Sequence, residues 1–399
     1  MGYKMLIGIV GRPNTGKSTF FKAATMADVL IANYPFATIK PNHGVGYVKV
    51  DCIDKEFKTQ CMPRMGYCKN HIRFVPVDLM DVAGLVEGAS EGKGLGNQFL
   101  DDLRQADAFI QVVDLSGMTD AGGKPTKDYY PGNDIKMIEK ELDLWYFGIL
   151  KKVWKTFARQ LESSHENFVQ AVYKQFSGLK VDEEMIKKII LRTKLDVEKP
   201  AHWTEEETFM FARELRIESK PMIIAGNKSD TEKAEENYLK LKKDFPNTSI
   251  VPCSADSELA LREASKAGLI DYLPGERDFK ILKQVNEKQK AALEAIKKNV
   301  LDKYEEGTGV QFILDSIVFN LLKYIAIFPA GVHKLADSKG NILPDCYLLP
   351  LGSTALDFAF KLHTDIGNNF VKAIDARTGK AVGKEYKLKH RDALEIAVR

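Results

Sequence analysis

No run of about 20 consecutive apolar residues occurs anywhere in the chain, so no membrane-spanning helix is expected. Cysteine is scarce and odd in number: the 399 residues hold five, Cys52, Cys61, Cys68, Cys253 and Cys346. An odd count in a chain this long argues against a secreted disulfide framework, and reduced thiols are expected. Neither sign of charge dominates, since 58 Lys and Arg face 55 Asp and Glu for a net +3. Such a balance neither demands nor excludes a nucleic-acid partner, because a local basic patch can sit inside it. Nor is there a cleavage site between Met1 and the first apolar segment, so a signal peptide is not expected and a cytoplasmic location is.

What is present is enough chain for two or three folding units. Lys4 to Val10 is a continuous apolar run of strand length, and Lys17 to Met26 reads as the helix after it. Further strand-like runs lie at Arg73 to Leu79, Ala108 to Leu115, Pro221 to Ala225 and Ser249 to Pro252. Alternation of this kind predicts an α/β fold with a mainly parallel sheet covered by helices. Between the runs at 108 and 221 the sequence turns helical: Asn133 to Gln160, Asp182 to Thr193 and Thr204 to Arg216, the last opened by a Thr204/Glu207 capping box. The predicted organisation is a phosphate-loop domain over 1–278 with a helical insert over about 118–217, a helical connector over 279–324, and an α+β module over 325–399. In that module short strands at Ile325 to Pro329, Ile342 to Pro350, Ala373 to Asp375 and Leu394 to Val398 flank a helix at Thr354 to His363.

The chemistry is concentrated in four short motifs. Gly11-Arg12-Pro13-Asn14-Thr15-Gly16-Lys17-Ser18 fits GxxxxGK[ST] between a strand and a helix. Glycines let backbone N–H groups curl round an anion, Lys17 reaches the outer phosphates, and Ser18 ligates Mg²⁺. Gly11, Asn14, Thr15, Gly16, Lys17, Ser18 and Thr19 are the expected phosphate-binding set. Asp81-Val82-Ala83-Gly84 fits DxxG, in which the acid holds Mg²⁺ and the Gly84 N–H meets the γ-phosphate. Asn227-Lys228-Ser229-Asp230 fits NKxD straight after an apolar run. The Asp230 carboxylate can accept from the N1–H and 2-amino groups of guanine, a donor pair adenine lacks, so GTP and GDP are the expected nucleotides. Ser254-Ala255 is expected to complete the base pocket through a backbone N–H.

Two longer segments add a resemblance. Asn33-Tyr34-Pro35-Phe36-Ala37-Thr38-Ile39-Lys40-Pro41-Asn42 and the glycine-rich run from Asp81 to Asn97 resemble the switch I and switch II segments of Obg-like GTPases, particularly the YchF group. Leu348 to Gly367 is similar to a TGS domain, the ubiquitin-like β-grasp module of such proteins. The resemblance implies that Thr38 binds Mg²⁺ and senses the γ-phosphate; with the motif residues, the expected catalytic groups are Lys17, Thr38 and Gly84 and the expected metal set is Ser18, Thr38 and Asp81. YchF members usually lack a proper NKxD and prefer ATP, whereas this chain keeps Asn227, Lys228 and Asp230, which implies a sister subgroup.

Leu85 stands where Ras-like enzymes carry a water-orienting glutamine, so slow intrinsic hydrolysis is expected. Asn14 either helps hold a K⁺ beside the phosphates or only secures the loop. Cys52, Cys61, Cys68 and His71 or Asp54 form either a zinc site or free thiols in a hairpin excursion, without the close CxxC pairs of zinc ribbons. From Val371 to Arg399 eight basic residues (Lys372, Arg377, Lys380, Lys384, Lys387, Lys389, Arg391, Arg399) face four acids, an excess that suits RNA phosphates. Together with the resemblance this implies a ribosome or RNA partner met through the TGS module and the helical insert, a monomeric chain and no membrane. The rival readings are a nucleotide-stabilised scaffold for RNA or protein, and a hydrolase that also accepts ATP.

Overall fold

A strand apolar on both faces must be covered on both, and Leu6–Val10, with Ile7, Ile9 and Val10 fully buried, takes an interior place in a seven-stranded sheet. The structure, a computed structural model, describes residues 5–26, 43–82, 88, 104–337 and 339–399. The strands of the first sheet are β1 (Leu6–Val10), β2 (His43–Asp51), β3 (Tyr67–Lys69), β4 (Ile72–Asp81), β5 (Ala108–Asp114), β6 (Met222–Asn227) and β7 (Ile250–Pro252). They lie in the order β2-β4-β1-β5-β6-β7, with β3 beside β4. From β4 to β7 neighbours run parallel, while β2 and β3 are antiparallel to β4. The predicted α/β class therefore holds, with an antiparallel edge the apolar runs did not predict. Helix α1 (Lys17–Thr25) explains why: a side chain at Gly44 of β2 would meet Thr25 and Phe21 of α1 at 2.6 and 2.8 Å. Glycines that admit a helix this closely dilute the strand's hydrophobic pattern.

The insert is helical as expected. Helix α2 (Gly132–Ser164) is long and is followed by α3 (Phe168–Phe176), α4 (Glu183–Thr193) and α5 (Glu205–Ser219). The capping box forms, with Glu207 N–H on Thr204 Oγ1 and Thr204 N–H on Glu207 Oε2. Trp154 stacks on Trp203 with centroids 5.0 Å apart, and Trp145 is buried in the same cluster, so the aromatic stripe is core.

After α6 (Ala234–Asp244) and α7 (Ala255–Lys266) the chain forms the small ribbon β8 (Ile270–Asp271) and β9 (Lys280–Ile281). The single helical stretch expected over 279–324 is divided into α8 (Glu287–Ile296) and α9 (Val310–Asp315), each running on into a π-helical turn. Gly307 and Gly309 break it, both at positive φ, and a Cβ on Gly309 would lie 2.2 Å from the Pro252 carbonyl. Val310, Ile313 and Leu314 pack into the same hydrophobic cluster as β1 and β4. This stretch therefore buttresses the sheet.

The second sheet has the order β11-β10-β14-β12-β13, formed by β10 (Tyr324–Pro329), β11 (Tyr347–Pro350), β12 (Phe370–Asp375), β13 (Ala381–Val382) and β14 (Ala393–Val398). Only β10 and β14 are parallel, and α10 (Ala355–Leu362), capped by Thr354 and Asp357, packs on the sheet over a core of its own. Of the strand expected at Ile342 to Pro350, only Tyr347–Pro350 forms. The Ile342, Leu343 and Pro344 carbonyls accept instead from Met62 N–H, Arg73 and Arg64 N–H of the first domain.

Candidate nucleotide site

The phosphate loop leaves β1 at Val10 and enters α1 at Lys17. Gly16 has φ 91° and no side chain caps the helix, so the first amides of α1 stay open to an anion. A Cβ on Gly16 would lie 2.2 Å from Asn227 Nδ2, and one on Gly11 2.6 Å from the Val112 carbonyl, so both glycines are required sterically. Thr15 Oγ1 and Lys17 Nζ each donate to the Arg12 carbonyl, at 3.1 and 3.0 Å. Burial pulls the Lys17 ammonium below its usual range, opposed by the charge of Asp81. Thr19 is half-buried in the first turn of α1.

Asp81 ends β4 facing Ser18, whose Oγ donates to Asp81 Oδ2 at 3.2 Å. Burial raises the Asp81 carboxyl, with Lys17 and Ser18 acting the other way, and its Oδ1 is buried with no hydrogen-bond partner among the described residues. A hydroxyl beside a desolvated carboxylate with one oxygen unsatisfied is a donor set that fits Mg²⁺.

Asn227, the last residue of β6, ties three segments together. Its Nδ2 donates to the Thr15 carbonyl at 2.9 Å, and its Oδ1 accepts from Ala255 N–H at 3.0 Å. The Ala255 N–H, expected to face the base, is thus engaged with Asn227 and serves to hold the motifs in register. Lys228 has φ 62° and lies against the phosphate loop, with Nζ donating to Asp114 Oδ2 at 2.7 Å and to the Asn14 carbonyl at 3.3 Å. Asp230 is exposed, and Oδ1 accepts from Ser254 Oγ at 2.8 Å. Support comes from the stretch after α8: Ser254 N–H donates to the Thr308 carbonyl, and Tyr304 Oη to the Ser229 carbonyl.

Family models match in three blocks and leave residues 147–224, most of the insert, unmatched. Residues 6–146 match a 50S ribosome-binding GTPase, 225–331 an Obg-like GTPase YGR210-like, G4 motif-containing domain, and 337–398 a TGS domain. An uncharacterized GTP-binding protein of Methanocaldococcus jannaschii is 48% identical over 98% of both chains. The chain belongs to the Obg-like, YchF-related GTPases. The ribosome-binding ATPase YchF of Bacillus subtilis is 33% identical over 65% of this chain and 68% of that protein. A solved GTP-binding protein from Pyrococcus horikoshii OT3 superposes with a TM-score of 0.78 at 37% identity, covering 99% of this chain and all of that one.

Two residues of this Obg-like GTPase that the motif reading passed over complete the site. Arg12 is fully buried: Nε pairs with Asp134 at 2.5 Å, its other nitrogens donate to the Thr119 and Asp120 carbonyls, and it lies 4.6 Å from the centre of the Tyr129 ring. The phosphate loop is thereby clamped to the root of the helical insert, as it also is by Asn14, whose Nδ2 donates to the Gly123 carbonyl at 2.9 Å. Asp114, the buried end of β5, accepts from Lys228, Ser116 and Thr119, which together hold its carboxyl below the usual range against the desolvation that raises it. An acid closing the apolar run of β5 was the one sequence signal for it. Thr38, Gly84 and Leu85, with most of the two switch segments, lie outside the described residues. Gly88 is described, and its N–H donates to Glu141 Oε1 of α2 at 2.8 Å.

Proposed function

We propose that the protein is a Mg²⁺-dependent, GTP-selective hydrolase acting as a cytoplasmic, monomeric switch that engages ribosomes in one nucleotide state. The observation that carries the guanine reading is the Asn227 tie, which holds the NKxD segment and Ala255 against the phosphate loop. In that block Asp230 accepts from guanine N1–H and the 2-amino group. Several relatives are named ATPases, YchF of Bacillus subtilis among them, but the complete NKxD here favours GTP.

The glycine loop and open amides of α1 cradle the phosphates, and Lys17 neutralises the outer ones. Ser18 and Asp81, joined by Thr38, would hold Mg²⁺, which would supply positive charge to the phosphates. Gly84 N–H meets the γ-phosphate. The Leu85 side chain has no hydrogen-bonding group to orient water, so hydrolysis by the chain alone is slow. Asn14 secures the loop through Gly123, and any role for K⁺ falls to its side-chain oxygen.

The ribosomal part rests on the family description, on the name of the Bacillus relative and on the TGS module. Its basic surface is smaller than the sequence count. Arg377 and Arg391 pair with Glu56 of the first domain, and Lys387 donates to the Gly352 carbonyl. Lys372, Lys380, Lys384, Lys389 and Arg399 are exposed and suit RNA phosphates. Co-sedimentation with ribosomes tests the proposal in GDP, in a non-hydrolysable GTP analogue, and in the analogue with Asp230→Asn. Pelleting should follow the analogue and drop in the variant, while equal pelleting in all three arms contradicts a nucleotide-gated partner.

A further inference from the structure

The nucleotide chemistry leaves unused the excursion between β2 and β4. Cys52 follows β2, Asp54 sits in the 3₁₀ turn Ile53–Lys55, Cys61 lies in the loop and Cys68 on β3. The fold gathers all four: one ligand atom of each lies within 4.8 Å of every other. Cys52 Sγ and Cys61 Sγ are 3.5 Å apart, and Cys68 Sγ is 3.8 Å from Asp54 Oδ2. A disulfide needs about 2.05 Å between sulfurs. A tetrahedral zinc with Zn–S about 2.3 Å and Zn–O about 2.0 to 2.2 Å sets its ligands about 3.5 to 3.8 Å apart.

The surroundings suit a cation. Asp54 is fully buried beside three sulfurs, an expensive place for a carboxylate unless positive charge joins it. His71 Nδ1 lies 2.9 Å from Asp54 Oδ1, and Cys61 N–H donates to Oδ2, contacts that orient the carboxylate as outer partners orient a metal ligand. Cys52 N–H donates to the His71 carbonyl, closing the group. We propose that Cys52, Cys61 and Cys68, as thiolates, and Asp54 bind one structural Zn²⁺.

The site has a consequence for the whole molecule. The segment it closes carries most of the polar contacts to the C-terminal module: Met62 and Arg64 donate backbone N–H groups to the Ile342 and Pro344 carbonyls, Arg64 pairs with Asp345, and Glu56 with Arg377 and Arg391. Arg73, beside the site, reaches the Leu343 and Pro344 carbonyls. Zinc therefore staples the first domain's docking surface for the TGS module.

Metal analysis of the full chain, purified anaerobically with a thiol reductant, should find about one zinc per chain. Replacement by Co²⁺ should give the thiolate-to-cobalt charge-transfer band of a tetrahedral site. Cys52→Ser and Cys68→Ser should lose the band and the metal, and Cys346→Ser should keep both. Chelation should speed proteolytic cleavage between the two domains several-fold. Folded wild-type chain that binds no zinc and shows no such band with added Co²⁺ overturns the proposal, and this arm decides even if the variants fail to fold. So does retention of metal by a folded Cys52→Ser chain, or a Cys52–Cys61 disulfide found by mass spectrometry in that reduced preparation.

Discussion

Arg12 occupies a position where the phosphate-loop pattern allows any residue, and a charged side chain there reads from sequence as solvated. In the fold it is fully buried and paired with Asp134, itself buried. Removing one partner of a buried pair leaves the other charge uncompensated, so Arg12→Ala should cost about 3 to 5 kcal/mol, read as a lower urea midpoint. Asp315 is a second residue whose environment decides its behaviour. It is half-buried at the crevice near Lys49 and Phe319, and burial raises its carboxyl to about 7, although Lys49 N–H and Gln311 Nε2 donate to it. Because the folded value exceeds the unfolded one, folding takes up a proton between about pH 4 and 7, and stability falls as pH rises through that window. Asp315→Asn keeps an acceptor oxygen without the charge. Urea titrations should show it near wild type at pH 4 and more stable by about 1 to 2 kcal/mol at pH 8, solvent in the crevice trimming the effect.

At the scale of elements, the site is a set of loops fixed by one side chain. Asn227→Ala leaves the Thr15 carbonyl and the Ala255 N–H without their partner, at about 1 to 3 kcal/mol for each group. Fluorescent GDP binding should weaken by about 10- to 100-fold, with far-ultraviolet dichroism unchanged. The strand, loop and helix from Leu6 to Thr25 were legible because apolar run, glycine spacing and lysine all fall in one short window. The insert helices were legible from periodicity and the Thr204 cap. β2 was not, since its glycines serve α1 rather than the sheet pattern. The direction of the Ala255 N–H was not legible either, because it depends on a residue 28 positions away. Nor could composition tell that Arg377 and Arg391 would be spent on Glu56.

Across the whole molecule, the phosphate loop is joined to two neighbours that sequence distance hides. Arg12 and Asn14 reach the root of the insert, and Gly88, in the glycine-rich run that follows DxxG, reaches α2. On the other side, the cysteine-bearing excursion holds the TGS module to the first domain. These contacts join the phosphate loop and Gly88 to the insert, and they are the route the proposed switch would use to act on it. The proposed switch requires first that the nucleotide be GTP. Displacement of fluorescent GDP by GTP and by ATP, in Mg²⁺, measures this directly. Two hydrogen bonds to the Asp230 carboxylate predict that GTP competes at concentrations at least about 100-fold lower than ATP, and that Asp230→Asn removes most of that gap. ATP competing within a few-fold of GTP, or an unchanged gap in the variant, contradicts it.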